Sequence, residues 1–494
     1  MLHNKAAVAA QAGRLVEAKA LLREALTLSP QNVSILVDIA RVCADRRDHD
    51  TAILMTRRAL RLAPDEPNAL MMLAESLRQT DRFAEALEYY QRLEIIAPHT
   101  GMLDHCMAIA LTALHRYDEA GEHFQAAIVR SQHALLTKWE HSHYLLRLGQ
   151  WAEGWDGYAA RFDAGEFSNV RRYDFGLPDW QGEPLAGKTL FIHAEQGLGD
   201  QLMFASIIPE LQREGANIIL ASSFELVDVF SDSFPTVPVY GILRQPDADR
   251  WIHALPKIDY QIPIGNLAVI RRRTDESFTR QRYVKTNPER VGRMQNYLNQ
   301  VAPQWDNRER YPLRVGLMWA SNPALFDWHA ARRGRRKTIP ADLLGRLGAI
   351  QDALFVSVQS RQSGNQAAHV PRMDIIDCSE TLNTIADTAA LMEHLDVIVT
   401  VDTSVAHLAG AMGKPTLLML AQDADWRWMI DRKDSIWYEN MTLFRQKTEG
   451  DWSNVIDDVG RHLRNMLQAK TEIPVLRGEN RAVKGRGRGV QHAN

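Results

Sequence analysis

The chain has 494 residues, enough for about three domains. Its 58 lysines and arginines nearly balance 61 aspartates and glutamates, which excludes a nucleic-acid binder driven by net charge. No apolar run approaches the ~18 residues of a membrane span, and the three dispersed cysteines, Cys43, Cys106 and Cys378, form neither a disulfide framework nor a zinc site. The first residues lack the apolar core of a signal peptide, so the chain reads as cytoplasmic.

Residues 1–165 carry an internal repeat. Pro30, Pro64 and Pro98 are 34 residues apart. Ala18, Ala52 and Ala86 each precede one of these prolines by twelve residues, and Ala120 continues the series. A second series, Ala6, Ala40, Ala74 and Ala108, falls in the preceding helix of each unit. Two antiparallel helices need a small residue where their axes cross, and the proline stops the second helix because it has no N–H. Larger apolar residues such as Leu36, Leu70, Leu73, Tyr90, Phe124 and Tyr158 fill the spaces between. The period resembles that of tetratricopeptide (TPR) repeats, helical pairs whose stacked array makes a concave partner-binding surface. The last pair, around Leu145 to Phe162, is degenerate, with Gly154 at the alanine position.

From about residue 175 the texture changes. A turn-rich linker, residues 174–182, leads to apolar runs that alternate with helical stretches. Predicted strands are 189–193, 217–221 and 237–240 in residues 175–300. In residues 313–470 they are 314–319, 354–359, 397–401 and 416–420. Helices are predicted over 201–214, 340–349, 384–394, 404–412 and 452–467, with a tight turn at 197–200. Alternating strands and helices predict parallel sheets, here two of them facing a cleft, with ligands at the carboxyl ends of the strands. The fold class expected is therefore α + α/β, an α-solenoid followed by two Rossmann-like domains. Residues 477–494 are basic and glycine-rich, and are expected to be disordered.

Four segments at strand ends carry candidate chemistry. Asp402-Thr403-Ser404, followed by His407, joins a strand to a helix. Free N–H groups and the helix dipole there suit an anion such as a diphosphate. The alternative is an ordinary N-cap with a core histidine. His193-Ala194-Glu195-Gln196-Gly197-Leu198-Gly199-Asp200 also ends a strand; its glycines let backbone approach a ligand, and Asp200 is either a base or a cap. The spacing is not that of a dehydrogenase dinucleotide loop. The third segment is Trp319-Ala320-Ser321-Asn322. The fourth, Arg335-Arg336-Lys337-Thr338, is read as a basic loop before a helix, fit for phosphate oxygens.

In this order the segments resemble TPR-containing, family 9-like bacterial glycosyltransferases, relatives of the lipopolysaccharide heptosyltransferases. The resemblance also includes Pro178-x-Trp180-x-Gly182, Phe355-Val356-Ser357-Val358-Gln359 and Asp425-Trp426-Arg427-Trp428. It implies a GT-B fold and an inverting, metal-independent sugar transfer, with no cofactor beyond a nucleotide-sugar co-substrate held by the C-terminal domain. It implies Asp200 as the catalytic base. Trp319, Asn322, Lys337, Gln359, Asp402, Thr403, Ser404 and His407 are expected on the donor side, with His193, Glu195, Gln196 and Gly199 as further cleft residues. Two positions depart from the family: Ala320-Ser321-Asn322 where Gly-Asn is common, and Lys337 where arginine is common.

The acceptor is expected to be a protein, with a glycan of the lipopolysaccharide type as the alternative. The asparagine ladder of the O-GlcNAc transferases is absent, its places being taken by Asp38, Met72 and Cys106. Some TPR-bearing flagellin glycosyltransferases suggest a protein acceptor instead. The groove-facing residues expected are Asp38, Arg41, Met71, Glu75, Arg78 and His105. The rival readings are a partner-binding scaffold with an inactive transferase module and a sugar-nucleotide epimerase.

Overall fold

The structure, a computed structural model, describes residues 1–472 apart from 98–99, 132–133, 165–169, 171, 174, 196, 243–251, 253–254, 322–327 and 361–369. Pro98, Gln196, Asn322 and the 477–494 tail thus lie outside the described residues. Ten helices come first, paired along the chain: α1 (Leu2–Gln11), α2 (Leu15–Leu28), α3 (Val33–Asp45), α4 (His49–Leu62), α5 (Pro67–Gln79), α6 (Phe83–Ile96), α7 (Gly101–Ala113), α8 (Tyr117–Arg130), α9 (Ala134–Arg147) and α10 (Trp151–Tyr158). All eight alanines of the two series are at most 1% exposed, so the small residue sits at each helix crossing as the repeat demands. Asn32, Asp48 and Thr100 cap their helices by accepting from Ile35, Thr51 and Leu103 N–H groups.

The turn inside each pair repeats as strictly as the alanines. Gly13, Arg47, Asp81, His115 and Gly149 all have φ between +60° and +76° and follow one another at 34-residue intervals. Only two of the five are glycine, the residue that adopts this conformation without steric strain.

Two parallel sheets follow. The first has strands β1 (Thr189–His193), β2 (Asn217–Ser222), β3 (Val239–Gly241) and β4 (Tyr260–Pro263) in the order β3-β2-β1-β4. The second has β5 (Leu313–Met318), β6 (Ala353–Ser357), β7 (Ile375–Asp377), β8 (Val397–Val401), β9 (Thr416–Leu420) and β10 (Met441–Arg445), in the order β10-β9-β8-β5-β6-β7. Every ladder between these strands is parallel, with Met318 beside Thr400 and Val401 beside Met419 at the carboxyl ends. The helices around them are α11 (Leu198–Phe204), α12 (Ile208–Arg213), α13 (Phe224–Ser233), α14 (Asn266–Arg271), α15 (Pro288–Val301), α16 (Trp328–Lys337), α17 (Ala341–Leu344), α18 (Ile385–Glu393), α19 (Ser404–Ala411) and α20 (Ser453–Glu472). No helix among the described residues is long and apolar enough to cross a membrane.

Side chains alternate across β5 as the pleat requires: Leu313, Val315 and Leu317 join the layer under α20, and Met318 joins a core shared with the first sheet. That shared core also takes Leu146, Trp151, Trp155 and Tyr158, so α10 and one face of α9 pack as part of the body that follows the repeats. Trp155 Nε1 donates to the Arg272 carbonyl at 2.7 Å, and Trp151 Nε1 to Asp275 Oδ1 at 2.5 Å.

Three expectations change. The 197–200 turn is the start of α11, with Gly199 and Asp200 inside its first turn. Arg335, Arg336 and Lys337 do precede a helix, α17, but they are not a loop: they form the last turn of α16. That helix has no apolar period to betray it, and the solenoid holds it: Arg332 donates to the Arg78 carbonyl at 2.8 Å and pairs with Asp81. Finally, the inferred groove side chains are not all free. Glu75 is bonded by Arg78, Gln79 and Tyr90, His105 is buried within 3.2 Å of Thr137 Oγ1, and Asp38 lies 2.5 Å from His3 Nε2.

Candidate functional site

The carboxyl ends of β1, β5, β8 and β9 bring one group of polar residues together. Asp402 follows β8, and Thr403 stands at the N-cap position of α19. Thr403 Oγ1 makes no capping bond and is buried with no hydrogen-bond partner. A buried hydroxyl without a partner carries a desolvation cost that no protein group here offsets. Beside it, Lys337 Nζ approaches Asp402 Oδ2 at 2.6 Å, and half-buried Ser404 opens the helix. The ordinary N-cap alternative therefore does not describe Thr403.

α11 and α19 pack N-terminal half against N-terminal half. A Cβ on Gly199 would lie 2.8 Å from His407 Cδ2, so this glycine allows the helices to approach. His407 is 4% exposed; it stacks on Trp428 with ring centroids 5.0 Å apart, and its Nδ1 is 3.0 Å from Tyr438 Oη. It is a packing residue between the two helices rather than an open cleft residue.

Asp200 does face the junction. Its Oδ1 accepts from Arg427 Nη2, and Arg427 Nη1 reaches Asp425 Oδ1 at 2.5 Å. One guanidinium thus bridges a carboxylate from each half of the molecule. Burial raises the Asp200 carboxyl above its ordinary range, with Arg427 opposing it. Burial also raises Asp425, but Arg427 and Lys337 overcome it and hold this carboxyl well below the usual range. Two carboxylates around one arginine therefore differ in basicity, with Asp200 the better proton acceptor. Trp426 stacks with His143 of α9 at 6.0 Å, so the end of the solenoid reaches the same segment.

The remaining expected residues have structural partners. Gln359 Oε1 accepts from the N–H groups of Trp319 (3.3 Å) and Ala320 (3.0 Å), which fixes the turn after β5. Trp319 is itself buried, and its carbonyl accepts from Ile339 N–H at 2.8 Å. His193 lies on the Phe191 face of β1, among Tyr173, Phe175 and Phe191, away from the face that packs on α11. Glu195 is consumed by a fully buried ion pair with Arg161. Neither is an open cleft residue. Arg427 was not among the expected residues, although an arginine between two tryptophans and two residues after an aspartate is a visible signal. Arg161 gave none, since its partner is distant in sequence.

Three histidines, the buried His193 and His407 and the half-buried His143, make the fold acid-sensitive. Burial lowers His143 and His193 to about 3, and His407 to about 4, from 6.5. The unfolded chain takes up protons that these folded sites refuse. Their contribution to stability is complete above pH 6.5 and falls as acid is added towards pH 4, by about 1.4 kcal/mol per pH unit for each group. Urea midpoints should drop between about pH 7 and about pH 5, and His407→Gln should drop less steeply. Equal slopes would remove His407 from this account.

Comparison with known proteins agrees with the composition of the chain. The model of glycosyltransferase family 9 (heptosyltransferase) matches residues 375–446, which hold Asp402–Ser404, His407 and Asp425–Trp428. The model of anaphase-promoting complex, cyclosome, subunit 3 matches residues 45–127 within the helical pairs. Protein FlbA of Caulobacter vibrioides (strain ATCC 19089 / CIP 103742 / CB 15) is 26% identical over 481 residues, covering 94% of this chain and 72% of that protein. Among solved structures, YrrB, a TPR protein with an unusual peptide-binding site, is 18% identical over 33% of this chain and 84% of its own, with a TM-score of 0.29. TTC0263, a thermophilic TPR protein of Thermus thermophilus, is 18% identical over 33% of this chain and 90% of its own, with a TM-score of 0.29. The chain thus joins a TPR-like array to a segment similar to family 9 glycosyltransferases.

Proposed function

We propose that the chain is an inverting glycosyltransferase of GT-B type, with a Rossmann-like domain around each sheet, that uses a nucleotide-sugar donor. The observation that carries this reading is the unpartnered Thr403 hydroxyl at the start of α19, next to the Asp402 that Lys337 approaches, on a helix packed against the α11 that carries Asp200. The donor diphosphate sits on the α19 N-terminus, with Thr403, Ser404 and Lys337 as its donors. The acceptor hydroxyl enters from the first sheet, gives its proton to Asp200 and attacks the anomeric carbon. The bond to the diphosphate oxygen breaks, and the nucleoside diphosphate leaves. Helix dipole, hydroxyls and Lys337 stabilise its charge, the role a metal ion plays in other transferases. Asp425 is engaged by Arg427 and serves orientation.

The acceptor in this reading is a protein. The solenoid ends at Trp426 through His143, so a polypeptide lying along the array is led to the site. Thr403→Ala with Ser404→Ala is expected to weaken nucleoside-diphosphate binding by roughly 1–3 kcal/mol, the loss of charge-assisted bonds. Calorimetry decides: unchanged affinity moves the donor elsewhere.

A further inference from the structure

A cavity of about 680 Å³ lies between the solenoid and the second sheet. Its walls are the α7–α8 turn, the end of α9, the segment after β9, β10 and α20. None of Asp200, Lys337, Asp402, Thr403, Ser404 and His407 lines it, so it is distinct from the site above. The volume suits a ligand of nucleotide size.

Cations dominate the lining: Arg147, Arg432, Lys433, Arg445 and Arg461 face only Asp431 and Asp458. Several are satisfied. Arg461 pairs with Asp458 at 2.7 Å, Arg432 with Asp434 at 2.8 Å and Arg147 with Asp423 at 2.5 Å. Arg445 is not: among the described residues it has no carboxylate partner, its Nη2 donates to the Trp428 carbonyl at 2.5 Å, and its buried Nε has no acceptor. Arg147 Nε is likewise buried without an acceptor. Burial lowers the Arg445 guanidinium to about 10. At the rim, exposed Lys433 forms no ion pair among the described residues. Asp431 acts on Arg445 through space without forming an ion pair with it, and a half-buried cation with no direct ion pair is costly, so an anion in the cavity would complete it. Flat faces are present too: the His115 and Tyr117 rings stack at 5.7 Å and 18°.

We propose that this cavity binds a phosphorylated small molecule, with Arg445, Arg147 and Lys433 on the phosphate oxygens and the His115–Tyr117 pair beside the rest of the ligand. Two sources share this chemistry, a nucleoside phosphate and a sugar phosphate. Either would bear on the segment that carries Asp425 and Arg427, because residues 422, 424 and 429–433 of that segment form one wall.

The test uses the full chain in calorimetry with pyrophosphate, uridine diphosphate and glucose 1-phosphate. The Thr403→Ala, Ser404→Ala protein removes the other anion site and should keep binding. Adding Arg445→Met or Lys433→Glu should weaken that binding roughly tenfold or more. Without ligand, Arg445→Met should change the melting temperature little, since no carboxylate loses its partner and only the bond to the Trp428 carbonyl is lost. If Arg445→Met misfolds, Lys433→Glu decides, because its side chain is exposed. Tighter uridine diphosphate than glucose 1-phosphate marks a nucleoside phosphate, and the reverse a sugar phosphate. Binding unchanged in both variants overturns the proposal, as does capture of an acidic peptide with no binding of any phosphorylated small molecule.

Discussion

Asp200→Asn is expected to leave the fold and donor affinity intact and to lower the rate of sugar transfer by about 10²–10⁴, the usual worth of a positioned general base. The substitution keeps the shape of the side chain. Arg427 keeps Asp425 as its partner at 2.5 Å, so no buried guanidinium is left bare. On the proposed mechanism only the proton acceptor disappears. Release of nucleoside diphosphate in the presence of acceptor measures the effect. Turnover surviving within about tenfold would put the base elsewhere. In the wild-type protein burial raises this carboxyl, so on the proposed mechanism the acid limb of kcat/KM should lie above that of a solvated aspartate.

The largest stability effect is expected at Arg161 and Glu195. Both side chains are 0% exposed. Arg161 Nε and Nη2 bond the carboxylate at 2.9 and 2.8 Å, and its remaining donors reach Tyr158 O at 3.0 Å and Asn266 Oδ1 at 2.6 Å. Gly265 N–H gives Glu195 Oε1 a further bond at 2.8 Å. Removing one partner strands the other charge out of water, so Arg161→Met or Glu195→Gln should each destabilise by about 3–5 kcal/mol. Arg161→Met combined with Glu195→Leu should lose less than the sum, because no charge remains uncompensated. Urea unfolding followed by tryptophan fluorescence separates these cases. Additive losses would mean that the two charges act independently. A chain beginning at residue 175 would lose Arg161, Trp151 and Trp155 together, whereas one beginning at Ala134 keeps all three.

What the sequence disclosed followed from how often a constraint repeats. The alanine positions were legible because the same helix crossing recurs along the array, and Ala18, Ala52, Ala86 and Ala120 are all 0% exposed. The turn positions were not: Arg47, Asp81 and His115 hide a left-handed backbone that only Gly13 and Gly149 advertise. Long apolar strands such as β5 and β8 stood out, whereas β4, β7 and β10 did not. β7 is only three half-buried residues, and β4 ends in Pro263. α16 escaped because its last turn is Arg335-Arg336-Lys337 and its hold comes from Asp81, far away in sequence. At the site, Asp200 and Thr403 announced themselves by standing where a strand meets a helix. Arg427 belongs to no such junction, and the roles of Glu195 and His193 depended on neighbours that only the fold supplies.

The turn edge of the solenoid meets the second sheet's domain at three consecutive units. Asp81 receives Arg332, His115 lines the shared cavity, and Gly149 stands against Met429. Three anchors one repeat apart act as a mount. A whole unit inserted or removed between residues 81 and 149 would take the following anchors out of step with their partners. Units added before residue 47 would meet no such obstacle. The array can therefore vary its reach only at its N-terminal end, while the part nearest the second sheet holds a fixed length.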